Sequence, residues 1–82
     1  MHTFAVASSK LAKFGTFQEC IDWGRDLIDA RKAKIVKILK CKPEEKEARI
    51  IFEITSDGLF KTPYGRVIDL AVLRKAEKNV KA

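Results

Sequence analysis

Three sets of side chains in this 82-residue chain could do chemistry: one histidine with two cysteines, a group of helix carboxylates, and a large excess of lysine. Nucleophilic catalysis needs a base within hydrogen-bond reach of a hydroxyl or thiol. The one histidine, His2, stands beside the first methionine, in a stretch expected to fray, so neither a Ser–His nor a Cys–His pair is expected. Cys20 and Cys41 fit neither a metal motif nor a disulfide framework, and both fall among apolar residues, which predicts buried, reduced thiols. Gly58, in "SDGLF", and Gly65, in "TPYGR", read as turn glycines. No glycine-rich phosphate loop accompanies them, which argues against a nucleotide-dependent enzyme. The expectation is a non-catalytic protein without cofactor or metal.

Glu19, Asp22, Asp26 and Asp29 follow one another at helical spacing. At 100° per residue they lie within about 80° of each other on one helix face. Metal ligands must converge from a concave site, and one convex ridge cannot surround an ion. These carboxylates therefore read as a solvated face, or as a docking surface for a basic protein partner. Such a ridge repels phosphate, so a nucleic acid would be bound elsewhere.

The cations are more concentrated. The stretch "RKAKIVKILKCK", Arg31 to Lys42, holds six basic residues and no acid, equal to the formal charge of +6 of the whole chain. Residues 16–30 and 43–57 each carry −3, whereas residues 73–82 carry +3. The candidate phosphate contacts are Lys34, Lys37 and Lys40 in the central stretch, Arg66, and Arg74, Lys75, Lys78 and Lys81 near the end; Lys10 and Lys13 precede the first helix. Twelve lysines stand against five arginines. Lysine neutralises phosphate without reading sequence, whereas base-specific readout favours the bidentate arginine fork. Neither an RNP-type aromatic motif, a GXXG loop nor a zinc finger occurs. In "KTPYGR", Tyr64 stands between two cations on a proline-stiffened turn, where it could stack on a base, fill a protein pocket or close the end of the core.

The elements that must position these groups read as follows. "TFAVAS", Thr3 to Ser8, is β-prone, and "SSKLAKFG" connects it to a helix. Thr16 with Glu19 forms a capping box, and Phe17, Cys20, Ile21, Gly24, Leu27 and Ile28 make an apolar stripe that predicts a helix from about residue 17 to about residue 32. Residues 33–41 fit no helical stripe. As a strand they place Ile35, Leu39 and Cys41 on one face and Val36 and Ile38 on the other, so both faces need cover. Lys37 interrupts one face and marks a bulge, an edge or a snorkelling side chain. "KPEEKE" is a polar connection. "ARIIFEIT" alternates, with Ile50, Phe52 and Ile54 inward and Arg49, Ile51 and Glu53 outward. A three-residue loop of Ser56, Asp57 and Gly58 would pair Ile54 with Phe60 and Glu53 with Lys61. The strand from Leu59 stops before Pro63. Asp69 is an expected N-cap for a helix carrying Leu70, Leu73, Ala76 and Val80 on one side and the C-terminal cations on the other. Residues 66–73 also alternate as a strand would.

These elements predict a single domain spanning residues 1–82 and an α+β fold: a two-layer sandwich in β-α-β-β-β-α order, with a mainly antiparallel sheet and helix packed on one face. The N-terminus lacks a cationic head before its short apolar run and the chain has no membrane-length apolar stretch, which predicts a cytoplasmic protein with no membrane partner. The expected function is that of a small binding or regulatory protein that contacts nucleic acid or a nucleoprotein complex through lysine-rich surfaces. The alternative is a protein-protein inhibitor or adaptor docking through Glu19, Asp22, Asp26 and Asp29, a sheet edge, or the Tyr64 turn. Homo-oligomerisation through a strand edge is compatible with both.

Overall fold

The computed structural model describes residues 4–8, 11–42, 44–62 and 65–81, the last three of these by backbone alone. His2, Lys10 and Tyr64, and the Lys81 side chain, lie outside the described residues. The chain runs β1 (Phe4–Ala7), β2 (Ala12–Gly15), α1 (Phe17–Asp29), β3 (Val36–Cys41), β4 (Glu47–Thr55), β5 (Gly58–Lys61), β6 (Val67–Asp69) and α2 (Leu70–Lys81). The result is an α+β fold, a six-stranded antiparallel sheet with two helices packed against it, in roughly the expected order.

Two short strands are additions to that order. β2 folds back on β1, with Phe4 opposite Gly15 and Ala7 opposite Ala12, and the Ser8 amide donates to the Leu11 carbonyl at 2.9 Å to close the turn. β6 pairs with the start of β4, Ala48 opposite Ile68, before the chain enters α2. Residues 66–73 thus divide between the two readings the sequence offers, a short strand and then a helix. The Asp69 carboxylate accepts from the Ala71 amide at 2.9 Å, the expected cap.

The sheet order is β2-β1-β3-β4-β5, with β6 beside β5 along the outer side of β4. β1 is antiparallel to both neighbours, so β2 and β3 run parallel to each other and must be joined by a crossover. That crossover is α1. It begins with the expected capping box: the Glu19 amide donates to Thr16 Oγ1 at 3.2 Å and the Thr16 amide to Glu19 Oε1 at 3.1 Å. It buries Cys20, Ile21, Gly24 and Leu27.

Two apolar clusters lie on opposite sides of the sheet. Val6, Val36, Ile38 and Ile54 pack with Cys20 and Leu27 of α1. Ala5, Leu39, Cys41, Ala48 and Ile50 pack with Leu73 of α2, flanked by Leu70 and Ala76. The expected sheet-and-helix sandwich holds for α1, and α2 adds a second cover on the other face. β3 needs both, because Ile38 and Leu39, adjacent and each 0% exposed, point in opposite directions. Burying each is worth about 1.5–3 kcal/mol.

Three local expectations are corrected. α1 stops at Asp29, three residues early, because Arg31 adopts a left-handed φ of 59°. The Arg31 amide then donates to the Ile28 carbonyl at 3.0 Å and the Lys32 amide to the Leu27 carbonyl at 2.9 Å, the two bonds of a Schellman motif. Ile35, expected to share a strand face with Leu39, lies before β3 and is 51% exposed. The hairpin loop has two residues, not three: Thr55 pairs with Gly58, Ile54 with Leu59 and Glu53 with Phe60. Gly58 does take a positive φ, 133°. The Asp57 amide donates to Thr55 Oγ1 at 3.1 Å, tightening the turn by one position.

Among the described residues, no helix is long and apolar enough to cross a membrane.

Two stability predictions follow from α1. A Cβ on Gly24 would sit 3.0 Å from both Ile54 Cδ1 and Val36 Cγ1, so Gly24→Val should destabilise the fold by about 1–3 kcal/mol, read as a lower urea midpoint. Arg31→Gly, at an exposed position where only glycine is unstrained, should raise the midpoint by the equivalent of about 1 kcal/mol.

Candidate nucleic-acid interface

An irregularity in β4 builds the site. The pairing of β3 with β4 slips between Ile38 and Leu39: Phe52 lies opposite Ile38 but Ile50 opposite Leu39, leaving Ile51 as the extra residue of a bulge. Ile50 consequently faces α2 whereas Ile51, Phe52 and Ile54 face α1. The uniform inward alternation expected of Ile50, Phe52 and Ile54 is thereby broken.

The outer edge of β4 is interrupted at the same place. Thr62 is tied to the bulge twice, its amide donating to the Ile51 carbonyl at 3.1 Å and its hydroxyl to the Ile50 carbonyl at 3.0 Å. The chain returns at Arg66, whose carbonyl accepts from the Ile50 amide at 2.8 Å. Both ends of the 62–66 excursion are therefore anchored to one dipeptide of β4.

Lys37, Glu53 and Phe60 form a row across β3, β4 and β5 through their pairing register. Their strand neighbours Val36, Ile38, Phe52 and Ile54 face α1, so the row points to the α2 side. α2 covers Ala48, Leu39, Ala5 and Ala12 and leaves this end of the sheet open. The opening is a trough of about 410 Å³, with the row as its wall, Ile50 at its floor and Lys61, Thr62 and Arg66 at its rim. Phe60 is 51% exposed. Among the described residues, neither Lys37 nor Glu53 belongs to an ion pair, although their Cα positions are directly paired.

The expected phosphate contacts divide by place. Lys37 and Arg66 meet in the trough. Arg74, Lys75 and Lys78 are exposed on α2, on the same side of the sheet. Lys40 alternates to the α1 side, paired with Arg49, and Lys34 is exposed in the connection between α1 and β3. The acidic group occupies the exposed side of α1: Asp22 accepts from Gln18 Nε2 at 2.9 Å, and Asp26 and Asp29 are exposed with it. Glu19 is held in the capping box. Glu53, Phe60 and Lys61 are charged or aromatic residues of the trough that sequence reasoning missed as a site. The three-residue loop put Phe60 against Ile54, toward α1, whereas the two-residue loop turns it to the α2 side.

Among the described residues, no three His, Cys, Asp or Glu side chains gather where they could hold a metal ion. Both thiols are free and buried, as expected. Burial, reinforced by nearby Cys41 and Glu19, pushes the Cys20 thiol up from 9.0 to about 11, and burial also raises Cys41. Comparison with known protein families, curated proteins and solved structures gives no match to this chain. The functional reading rests on the residues and their geometry.

The thiols give a prediction of their own. At pH 8 the native protein should react with a disulfide reagent far more slowly than the urea-unfolded chain, because thiolate is the reactive form and both thiols hold their protons in the fold. Between pH 9 and about 11 the unfolded chain loses the Cys20 proton while the native state retains it, so stability should fall through that window. Urea midpoints measured across it check the sign.

Proposed function

We propose that this protein is a small non-catalytic binding module that contacts nucleic acid, free or within a nucleoprotein complex, through the lysine-rich α2 side of its sheet. The observation that carries the reading is the segregation of charge. Lys37 and Arg66 of the trough lie on the same side of the sheet as Arg74, Lys75 and Lys78 of α2, with Lys61 at the trough's rim, while Asp22, Asp26 and Asp29 occupy the exposed side of the helix on the other face. A phosphate backbone approaching the α2 side meets these cations, whereas the exposed acidic face of α1 would repel it. The cations are spread over a strand, a loop and a helix, an arrangement suited to neutralising successive phosphates without reading sequence. A cytoplasmic place for such a module is part of this proposal.

The second reading, a protein-protein inhibitor or adaptor, draws on the acidic ridge of α1. That ridge is exposed and stands apart from the basic side, so it could engage a basic protein without displacing nucleic acid. A module that bridges nucleic acid and protein would use both faces.

Fluorescence anisotropy with labelled duplex DNA, single-stranded DNA and RNA tests the first reading. Binding should be measurable at about 50 mM salt and weaken on the order of a hundredfold by about 200 mM if four phosphates are neutralised. Lys75→Glu with Lys78→Glu should weaken binding to all three and flatten the salt slope. Asp22→Lys with Asp26→Lys should leave it unchanged or tighten it. No binding at low salt, or binding indifferent to salt, removes the reading.

A further inference from the structure

We infer that the trough beside Phe60 takes an unpaired nucleotide whose base carries an exocyclic amine, so that the protein prefers single strands to duplex. The inference rests on the nucleic-acid reading and assigns the substrate class to one part of that surface. A surface that only neutralises phosphates needs no exposed ring, yet Phe60 projects 51% exposed from a sheet face otherwise carrying charge at this end. Its register partner is Glu53, and Glu53 in turn faces Lys37.

This row has the parts that a single strand uses. An aromatic face stacks on any base, and bases in a duplex have no free face to offer it. Lys37 and Arg66 line the trough with the ring, and Lys61 follows it at the rim, which supplies positive charge for the phosphates on either side of a bound nucleotide. Glu53 is the discriminating member. A lone acid beside Lys37 and Arg66 weakens attraction for phosphate, so its presence asks for a donor on the ligand. A carboxylate accepts hydrogen bonds and cannot donate them; beside a stacked base it meets the amine of cytosine or adenine favourably and the carbonyl oxygens of thymine unfavourably.

The floor and the backbone of the rim are fixed before any ligand arrives. Ile50 is 4% exposed, and Thr62 and Arg66 are bonded to the Ile50–Ile51 backbone. The about 410 Å³ of open space lies within the range of pockets that hold small ligands, and its open side lets a chain enter and leave.

The test measures anisotropy at about 50 mM salt with three probes of equal length: oligo(dC), oligo(dT) and a mixed-sequence duplex. The wild type should bind oligo(dC) most tightly. Phe60→Leu, which keeps an apolar side chain at an exposed position, should weaken oligo(dC) binding about tenfold while leaving duplex binding unchanged. Glu53→Gln should bring oligo(dT) to within about twofold of oligo(dC), with folding checked by circular dichroism. Equal binding of single strands and duplex, or a Phe60→Leu protein that keeps the single-strand preference, overturns the inference and leaves the phosphate-binding reading standing. Oligo(dT) bound as tightly as oligo(dC) by the wild type overturns the role of Glu53. Failure to bind any of the three probes overturns the nucleic-acid reading itself.

Discussion

The constraint on which the rest of this fold depends is that β3 is apolar on both faces. Val36 and Ile38 point one way and Leu39 and Cys41 the other, and all four are buried. A sheet with a single helix layer would leave Leu39 and Cys41 in water, at a cost of the order of the burial energy of each side chain. Two helices must therefore take opposite faces. Because α1 carries four acids against one arginine and α2 four bases against one acid, the packing requirement of one strand also sets the opposite charges of the two helices on opposite faces. The core and the placement of the two charged helices have a common cause.

The helices do not cover the sheet equally. α1 lies over the centre as the crossover between β2 and β3, its approach permitted by Gly24. α2 starts at the β6 side of β4 and reaches β2, so one corner of its face remains open. That corner is where the bulge at Ile51 and the interrupted edge between β5 and β6 fall. A regular β4 would have placed Ile50 with Phe52 and Ile54 beneath α1 and removed the apolar floor of the trough. The irregular backbone is thus part of what makes the site.

The elements legible from sequence were those whose signals are local. The Thr16–Glu19 capping box, the apolar stripe of α1, the two-faced apolar pattern of β3 and the Asp69 cap each involve residues within a few positions of one another, and each is present. β2 was hidden because Ala12 and Gly15 are poor strand formers, and its structure comes from pairing with β1 rather than from its own residues. The hairpin register was misjudged because matching Ile54 to Phe60 and Glu53 to Lys61 maximises side-chain pairing. The structure instead satisfies the turn, with Gly58 still taking the positive φ. Legibility of the site followed the same division. Lys37 and Arg66 were accessible as cations, whereas Phe60 became part of it only through a one-residue change of register.

Whether the acidic ridge cancels the basic side is a question of distance and salt. The two surfaces lie on opposite faces of a fold whose thinnest extent is 19 Å. The Debye length at physiological ionic strength is about 8 Å, so the field of α1's carboxylates is largely screened before it reaches a ligand on the α2 side. At low salt the screening length grows toward 30 Å, and the acids then oppose binding even as each phosphate contact strengthens. The net charge of +6 therefore understates the local field that an anionic ligand meets at the trough and α2 in physiological salt. Glu53 is the exception, because it shares the trough with the cations rather than standing across the sheet from them. Of the acids on α1 and in the trough, it alone is close enough to act on a ligand in that site at any ionic strength, so an effect of Glu53 would fall on the group of the ligand that it touches.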